Sequence, residues 1–327
     1  MAGGRMWSSK YALAIRSRPA MYLGYLNQSG LEHCFADILF SLKPIEKKAY
    51  LLFALNRNTL HLKVKGIIPD AYTYCFKHSE EEFWKHDQAK HGLAFFVLAC
   101  TSESCRITIK NKKEIFEVES NRRGFNYRSE SWQGHPDKEV NTLEIAFIPD
   151  KNIFKELNLR FDYFLNFFKE QSYLLPYLTI EAVNTLTSER TYFSNQHGMS
   201  DYVDALFHRF HLQPEVRLDK KIQLSAYNLD LVIAYLPSYY NWHQIETWAG
   251  GTPLFGGSLE NGILKGISSV FKNKSISANP LERLVVCAHL RGDTLTFAGS
   301  IKEQLDMPAL EKELKKVVAQ EIQEVIN

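Results

Sequence analysis

The side chains able to do chemistry are spread along this chain rather than gathered into one short motif. Asp37 and Ser41 stand four residues apart in an apolar-periodic stretch, a spacing that puts a carboxylate and a hydroxyl on one helix face. His33, His91 and His289 show no metal-ligand spacing and read as hydrogen-bonded structural residues. The five cysteines (Cys34, Cys75, Cys100, Cys105 and Cys287) are odd in number and lie mostly in apolar runs. They read as buried, reduced thiols rather than zinc ligands or a disulfide framework. A glycine-rich loop, Gly250-Gly251-Thr252 through Gly256-Gly257-Ser258, reads as a turn and helix entry.

The elements that must position these residues follow from periodicity. A short helix over 8–16 ends near Arg18-Pro19, and Leu31, Cys34, Phe35, Ile38 and Leu39 mark one apolar helix face. Tyr50 to Leu55 and Thr59 to Val64, separated by Asn56-Arg57-Asn58, predict a hairpin. Gly92 to Cys100 is apolar throughout and reads as a buried helix or strand. Strands are expected at Arg106–Lys110, Glu114–Glu119, Leu143–Ile148 and Leu178–Val183, with a helix over Ile153–Lys169. A new helix starts at Met199, capped by Ser200 or Asp201, and runs to Phe210. Strands Ile222–Tyr227 and Leu229–Leu236, helix Leu259–Phe271, strand Leu284–Leu290 and an amphipathic helix Pro308–Ile326 complete the chain. The boundary is placed near residue 195, giving domains 1–195 and 196–327.

At 327 residues the chain is long enough for two domains of ordinary size. Its 13% aromatic content favours strands and aromatic cores over a helical bundle. With a net charge of +2 the chain as a whole is not a polyelectrolyte partner for nucleic acid and charge does not argue for DNA contact; the basic runs at 110–113 and Arg122-Arg123 read as solvated turns. No stretch approaches the roughly twenty apolar residues that span a bilayer. The start, Met1-Ala2-Gly3-Gly4-Arg5, lacks an apolar signal core. A cytoplasmic protein without a membrane partner is expected.

Six segments together resemble the N-terminal half of the B subunit of DNA gyrase and its topoisomerase IV relative. Arg16-Ser17-Arg18-Pro19-Ala20-Met21-Tyr22-Leu23-Gly24 is similar to the family's Arg-Lys-Arg-Pro-Gly-Met-Tyr-Ile-Gly opening, and Gly30-Leu31-Glu32-His33 to its Gly-Leu-His-His. The run from His91-Gly92-Leu93-Ala94 to Thr101-Ser102 aligns without a gap on His-Gly-Val-Gly-Val-Ser-Val-Val-Asn-Ala-Leu-Ser. Asn141-Thr142, a strand, and Pro149-Asp150 resemble a Gly-Thr, strand, Pro-Asp element. Gly256-Gly257-Ser258-Leu259-Glu260-Asn261-Gly262-Ile263 resembles Gly-Gly-Thr-His-x-x-Gly-Phe, and Phe297-Ala298-Gly299-Ser300-Ile301-Lys302 resembles Phe-x-Gly-Gln-Thr-Lys. The order and spacing of the six make the likeness specific. It implies an α+β chain: a GHKL (Bergerat) ATPase sandwich followed by a ribosomal protein S5-like transducer domain.

The resemblance also implies a site for ATP and Mg²⁺. It places the general base, a Glu in the family, on Asp37 and the Mg²⁺ ligand, an Asn, on Ser41. It places nucleotide contacts on His91, Gly92 and Thr142, and the γ-phosphate lysine on Lys302, with Ser300 replacing a Gln two residues earlier. Such a site works by water activation, metal clamping and fixed positive charge around a transferring phosphoryl group. The family's Asp-Asp-Gly-x-Gly-Ile-Pro, whose carboxylate reads the adenine amine, is here Lys63-Val64-Lys65-Gly66-Ile67-Ile68-Pro69, and Ala94 replaces a phosphate-loop glycine. Asp37 as a solvated helix residue, Ser41 as a helix-end residue and Lys302 as a surface lysine are the alternative readings.

The leading expectation is a gyrase B-like ATPase and transducer module with ATP-driven dimer closure, weak or lost hydrolysis, and no DNA-cleavage domain of its own. It would close as a homodimer or with a gyrase-like partner chain, touching DNA only indirectly. The alternatives are a non-catalytic pseudo-ATPase acting as regulator or scaffold, and a GHKL fold adapted to another ligand, with Val64 and Ile67 lining an apolar pocket.

Overall fold

The computed structural model describes residues 2–6, 10–41, 49–65, 76–77, 89–111, 114–122, 124–131, 141–155, 157–240, 242–273, 281–292, 294–299 and 302–326. The chain divides into two compact units, Met1–Asn195 and Gln196–Asn327.

The first unit is built on one mixed sheet. Its strands are β1 (Ala2–Met6), β2 (Ala49–Asn56), β3 (Thr59–Lys65), β4 (Ser102–Lys110), β5 (Glu114–Asn121), β6 (Gly124–Ser131), β7 (Thr142–Pro149), β8 (Leu178–Asn184) and β9 (Glu189–Phe193). Their spatial order is β1-β6-β5-β4-β7-β3-β2-β8-β9, antiparallel except for the β2–β8 pair. The β2–β3 hairpin turns at Arg57, whose φ of 50° is left-handed. Alternation then sends Leu51, Phe53, Leu55, Leu60, Leu62 and Val64 into the core.

Helices α1 (Lys10–Ser17), α2 (Ala20–Leu23), α3 (Gln28–Ser41), α4 (Ala89–Thr101) and α5 (Phe161–Leu174) belong to this unit, and the buried residues of α3, α4 and α5 join the same core. Phe53 of β2 lies 4.8 Å from Phe164 and 4.7 Å from Phe168 of α5, centroid to centroid. Each such ring contributes roughly 1.5–3 kcal/mol by leaving water, so the aromatic excess of the sequence is spent on joining helices to sheet. Gly92 to Cys100, ambiguous from periodicity, is helical. The opposite face of the sheet is charged, with Lys63–Glu144, Arg106–Glu119 and Arg128–Glu117 ion pairs across adjacent strands.

The second unit is a sheet of β10 (Val216–Gln223), β11 (Asn228–Tyr235), β12 (Gln244–Ala249), β13 (Thr252–Leu254) and β14 (Leu284–Arg291), ordered β10-β11-β14-β12-β13. Helices α7 (Ser258–Asn273) and α8 (Pro308–Ile326) share a core with one face. Helix α6 (Met199–Phe210) packs by Tyr202 against Trp248. Strand β14, buried almost throughout, reads in sequence as an apolar run, Leu284 to Ala288 and Leu290, interrupted by His289. Helices α7 and α8 meet along Gly262 and Gly266: a Cβ at Gly262 would lie 2.8 Å from the Leu314 Cβ, and one at Gly266 2.9 Å from the Val318 Cβ.

Three expectations need correction. The helix read over Ile153–Lys169 starts at Phe161, because 151–155 form turns held by Asp150. The strand read at Ile222–Tyr227 is Val216–Gln223, and the chain reverses where the Leu224 amide bonds to the Tyr227 carbonyl. Helix α6 has no side-chain cap bond at its N-cap, Gly198; Asp201 instead accepts from the His197 amide, and the Ser200 hydroxyl donates to Asp219.

Candidate functional site

Asp37 and Ser41 lie in the last turns of α3, both half-buried. The apolar residues Leu31, Phe35, Ile38 and Leu39 fix that helix on the core and leave Asp37 and Ser41 at its margin. The Ser41 hydroxyl donates to the main-chain carbonyl of Asp37. This is the local back-bonding that serine makes near helix ends, and it spends the hydroxyl proton inside the helix.

The start of α3 carries a polar latch that sequence reading missed. The Gln28 amide donates to Glu32 at 2.9 Å and to the Arg160 carbonyl at 3.1 Å, while its oxygen accepts the Arg160 amide at 2.9 Å. Burial raises the Glu32 carboxyl to about 7, with the Gln28 hydrogen bond opposing and the nearby Glu170 charge adding to the rise.

The adenine end of the implied site falls on β3 and β7. Lys63 stands opposite Glu144 and bonds to it at 2.7 Å; Lys65 stands opposite Thr142. By strand alternation these residues share the face turned away from the core, although Thr142 itself is buried. The inward pair at this point is Val64 and Leu143, directly opposite one another and both within the core. Asn141, where the resembled element has Gly, has a φ of 84°, a conformation asparagine tolerates.

His91 and Gly92 lie in α4, and nothing of their side chains is among the described residues. Ala94 is buried in the core. Ile67, Cys75 and Ser300 are outside the described residues. Cys34, Cys100, Cys105 and Cys287 are buried free thiols. Lys302 belongs to the second unit. It lies within a loop closed by the Ala298 amide on the Gln304 carbonyl and the Asp306 amide on the Thr296 carbonyl, each 2.9 Å. Its φ is 60°.

The shared motifs meet one another for structural reasons. Arg16 donates to the Cys100 carbonyl and, at 2.9 Å, to Asp150, which also pairs with Arg122 at 3.2 Å. The Asp150 amide bonds to the Thr101 carbonyl. One fully buried carboxylate therefore joins the opening segment, the end of α4 and the end of β7. Burial alone would raise the Asp150 carboxyl; the Asn152 amide, the Arg16 hydrogen bond and the Arg122 and Arg16 charges outweigh it and hold the carboxyl below its usual range. A Cβ on Gly30 would lie 2.0 Å from the Tyr25 carbonyl oxygen, which explains the glycine of the second motif. In the second unit, Gly257 and Phe297 both bridge to Leu305, and the Ser258 hydroxyl accepts the Met307 amide, so the last two motifs brace each other.

The inward positions Val64 and Leu143 carry no hydrogen-bond acceptor, and the Ser41 hydroxyl donates within its own helix while its oxygen lone pairs stay available. Among the described residues no cluster of His, Cys, Asp or Glu could hold a metal ion, and no helix is long and apolar enough to cross a membrane.

The fold is α+β, a GHKL-type ATPase sandwich followed by a transducer domain, as in the ATPase regions of gyrase B and topoisomerase II. No family model matches the chain. In sequence it is similar to the B subunit of DNA gyrase from Borreliella burgdorferi, 23% identical over 96% of this chain and 54% of the relative. It is also similar to the B subunit of DNA topoisomerase 4 from Mycoplasma genitalium, 22% identical over 95% of this chain and 53% of the relative. The chain thus spans about half the length of these curated relatives. In structure it matches the B subunit of DNA gyrase from Myxococcus xanthus with a TM-score of 0.75, 14% identity and coverage of 98% and 97% of the two chains. It matches the 43K ATPase domain of Thermus thermophilus gyrase B with a TM-score of 0.70, 18% identity and coverage of 97% and 90%.

Proposed function

We propose that the chain is a gyrase B-like ATPase and transducer module of a type II topoisomerase setting, in which ATP hydrolysis is weak or lost. It closes as a homodimer or on a gyrase-like partner chain. The supporting observation is the contrast between the two kinds of motif residue. Those that brace the fold, such as Arg16, Gly30, Asp150 and Gly257, keep their partners. Of the positions that would handle nucleotide, Ser41 is bonded within its own helix and Val64 is packed in the core.

A second reading, a non-catalytic regulator or scaffold that uses the same closing surface, is favoured by the apolar Val64–Leu143 pair. The reading that hydrolysis is weak or lost is tested by turnover of ATP with Mg²⁺. The expected rate is at or near background and unchanged in Asp37→Ala; steady turnover that this substitution removes would overturn it. Thermal melting with a non-hydrolysable ATP analogue separates the two readings. Binding at 100 times the dissociation constant stabilises a fold by about 2.7 kcal/mol. A shift that Lys302→Ala and Thr142→Ala abolish supports the nucleotide-driven clamp, and no shift at millimolar analogue leaves the scaffold.

A further inference from the structure

The start of α3 is tied to the start of α5 through one neutral side chain. Gln28 pairs with both main-chain groups of Arg160, taking its amide hydrogen at 2.9 Å and giving one to its carbonyl at 3.1 Å. Arg160 is the N-cap residue of α5 and makes no side-chain cap bond of its own. Gln28 thus accepts the N-cap amide from a neighbouring helix, as the Glu or Gln of a capping box does from within one. Its other amide hydrogen goes to Glu32, one turn along α3, at 2.9 Å. Gln28 is 6% exposed and both its donors are engaged, so its orientation depends on Glu32 as well as on Arg160.

Glu32 is half-buried, and its hydrogen-bond partner is a neutral amide. Among the described residues no lysine, arginine or histidine forms an ion pair with it. The guanidinium at this junction, that of Arg160, is turned to Asp162 and lies over the Tyr163 ring. Of the elements packed on α3, α4 is apolar from Leu93 to Cys100, and α2 brings Tyr22. Helix α5 brings Glu170, whose charge has the same sign as an ionised Glu32. On α3 itself His33 comes next, its ring 6.3 Å from that of Tyr25. A carboxyl in such a place favours its neutral form. Ionised, it would give up hydration and meet Glu170 with one amide hydrogen in return. Burial accordingly raises it to about 7.

We infer that Gln28, Glu32 and Arg160 form a proton-controlled latch between α3 and α5. With the carboxyl neutral, Glu32 keeps its place against Gln28, and Gln28 holds both main-chain groups of Arg160. On ionisation one proton leaves for water and the carboxylate turns toward solvent. Gln28 then loses a group that orients it, and the Arg160 amide opens more often. The opening is confined to the first turn of α5, because Phe164 and Phe168 still hold that helix on Phe53. Nothing in the latch draws on a nucleotide site, so it stands apart from the proposed function.

The test is NMR of the full chain, reading hydrogen exchange at the Arg160 amide and the side-chain carboxyl carbon shift of Glu32 between about pH 6 and pH 8. Exchange is expressed as protection, corrected for the intrinsic pH dependence of amide exchange. The Glu32 carboxyl is expected to titrate near neutrality, and Arg160 protection to fall about tenfold across the same interval. Amides of β4 and β7 should keep theirs. Glu32→Gln retains an oxygen for Gln28 and has no proton to lose, so its Arg160 protection should stay level. That variant keeps His33, so a fall that persists in it assigns the effect to another group and overturns the inference. Glu170→Gln removes the like charge and should move the midpoint to lower pH. Gln28→Ala should leave Arg160 weakly protected at both ends of the range. Constant Arg160 protection through the Glu32 titration, or a Glu32 carboxyl that titrates in the ordinary glutamate range, also overturns it.

Discussion

Asp150 shows how one residue can explain two sequence motifs. Its carboxylate is fully buried, and its two arginine partners come from distant segments. Asp150→Asn leaves Arg16 and Arg122, both partly exposed, facing a neutral amide, and loss of a hydrogen bond to a charged group costs about 1.5 kcal/mol. Urea unfolding at neutral pH measures this. The pH dependence has a definite sign. Because the folded carboxyl is held low, its contribution is complete above the unfolded value of about 3.9 and disappears as pH falls through the folded one. The parent should therefore lose stability in that acid window, and Asp150→Asn should lose much less. Glu32 works in the other direction. Its folded carboxyl is raised to about 7, so its contribution is complete below the unfolded value and lost as pH rises through neutrality. Glu32→Gln should accordingly stabilise the chain at pH 8 by about 2 kcal/mol and leave it nearly unchanged at pH 4, as read by melting at the two pH values.

At the scale of elements, the α7–α8 seam is the clearest case of packing that dictates sequence. Gly262→Ala and Gly266→Ala would each push a methyl into the facing helix, against Glu311 and Leu314 or Lys315 and Val318. Forcing such an atom into a packed seam costs about 1–3 kcal/mol, so each variant should melt earlier, and the double variant earlier still.

Much of the architecture at this scale was legible, because hairpins and amphipathic helices carry local signals. The Asn56-Arg57-Asn58 turn and the α3 stripe are of that kind. The misread pieces depended on distant partners. Ile153 and Phe154 continue a helical period, but Asp150 and the Gln28–Arg160 latch hold that stretch out of the helix. Strand β10 alternates Leu218 and Ile222 with charged residues, and its weak signal gave way to the more apolar run across the turn. The candidate site was harder to read. Thr142 and Lys63 align on motif positions, yet strand alternation turns both away from the core and puts Leu143 and Val64 inward. A register of one residue is visible only in the paired sheet.

At the scale of the molecule, the two units have separate hydrophobic cores, one built on phenylalanine rings and one on aliphatic residues with a glycine seam. A unit with its own core is expected to fold by itself. Residues 1–195 and 196–327, produced separately, should each unfold in a single cooperative transition by calorimetry; a non-cooperative melt of either would show that its core is incomplete.

The charged outer wall of the first unit's sheet also decides how the protein behaves toward a charged column. Each of Lys63, Arg106 and Arg128 faces its own glutamate on the neighbouring strand. Positive and negative potential cancel within a Debye length, about 10 Å at ordinary salt, so these three pairs offer heparin or a cation-exchange resin little to grip. Substitutions that neutralise both members of one of these pairs should therefore leave the chain's elution unchanged.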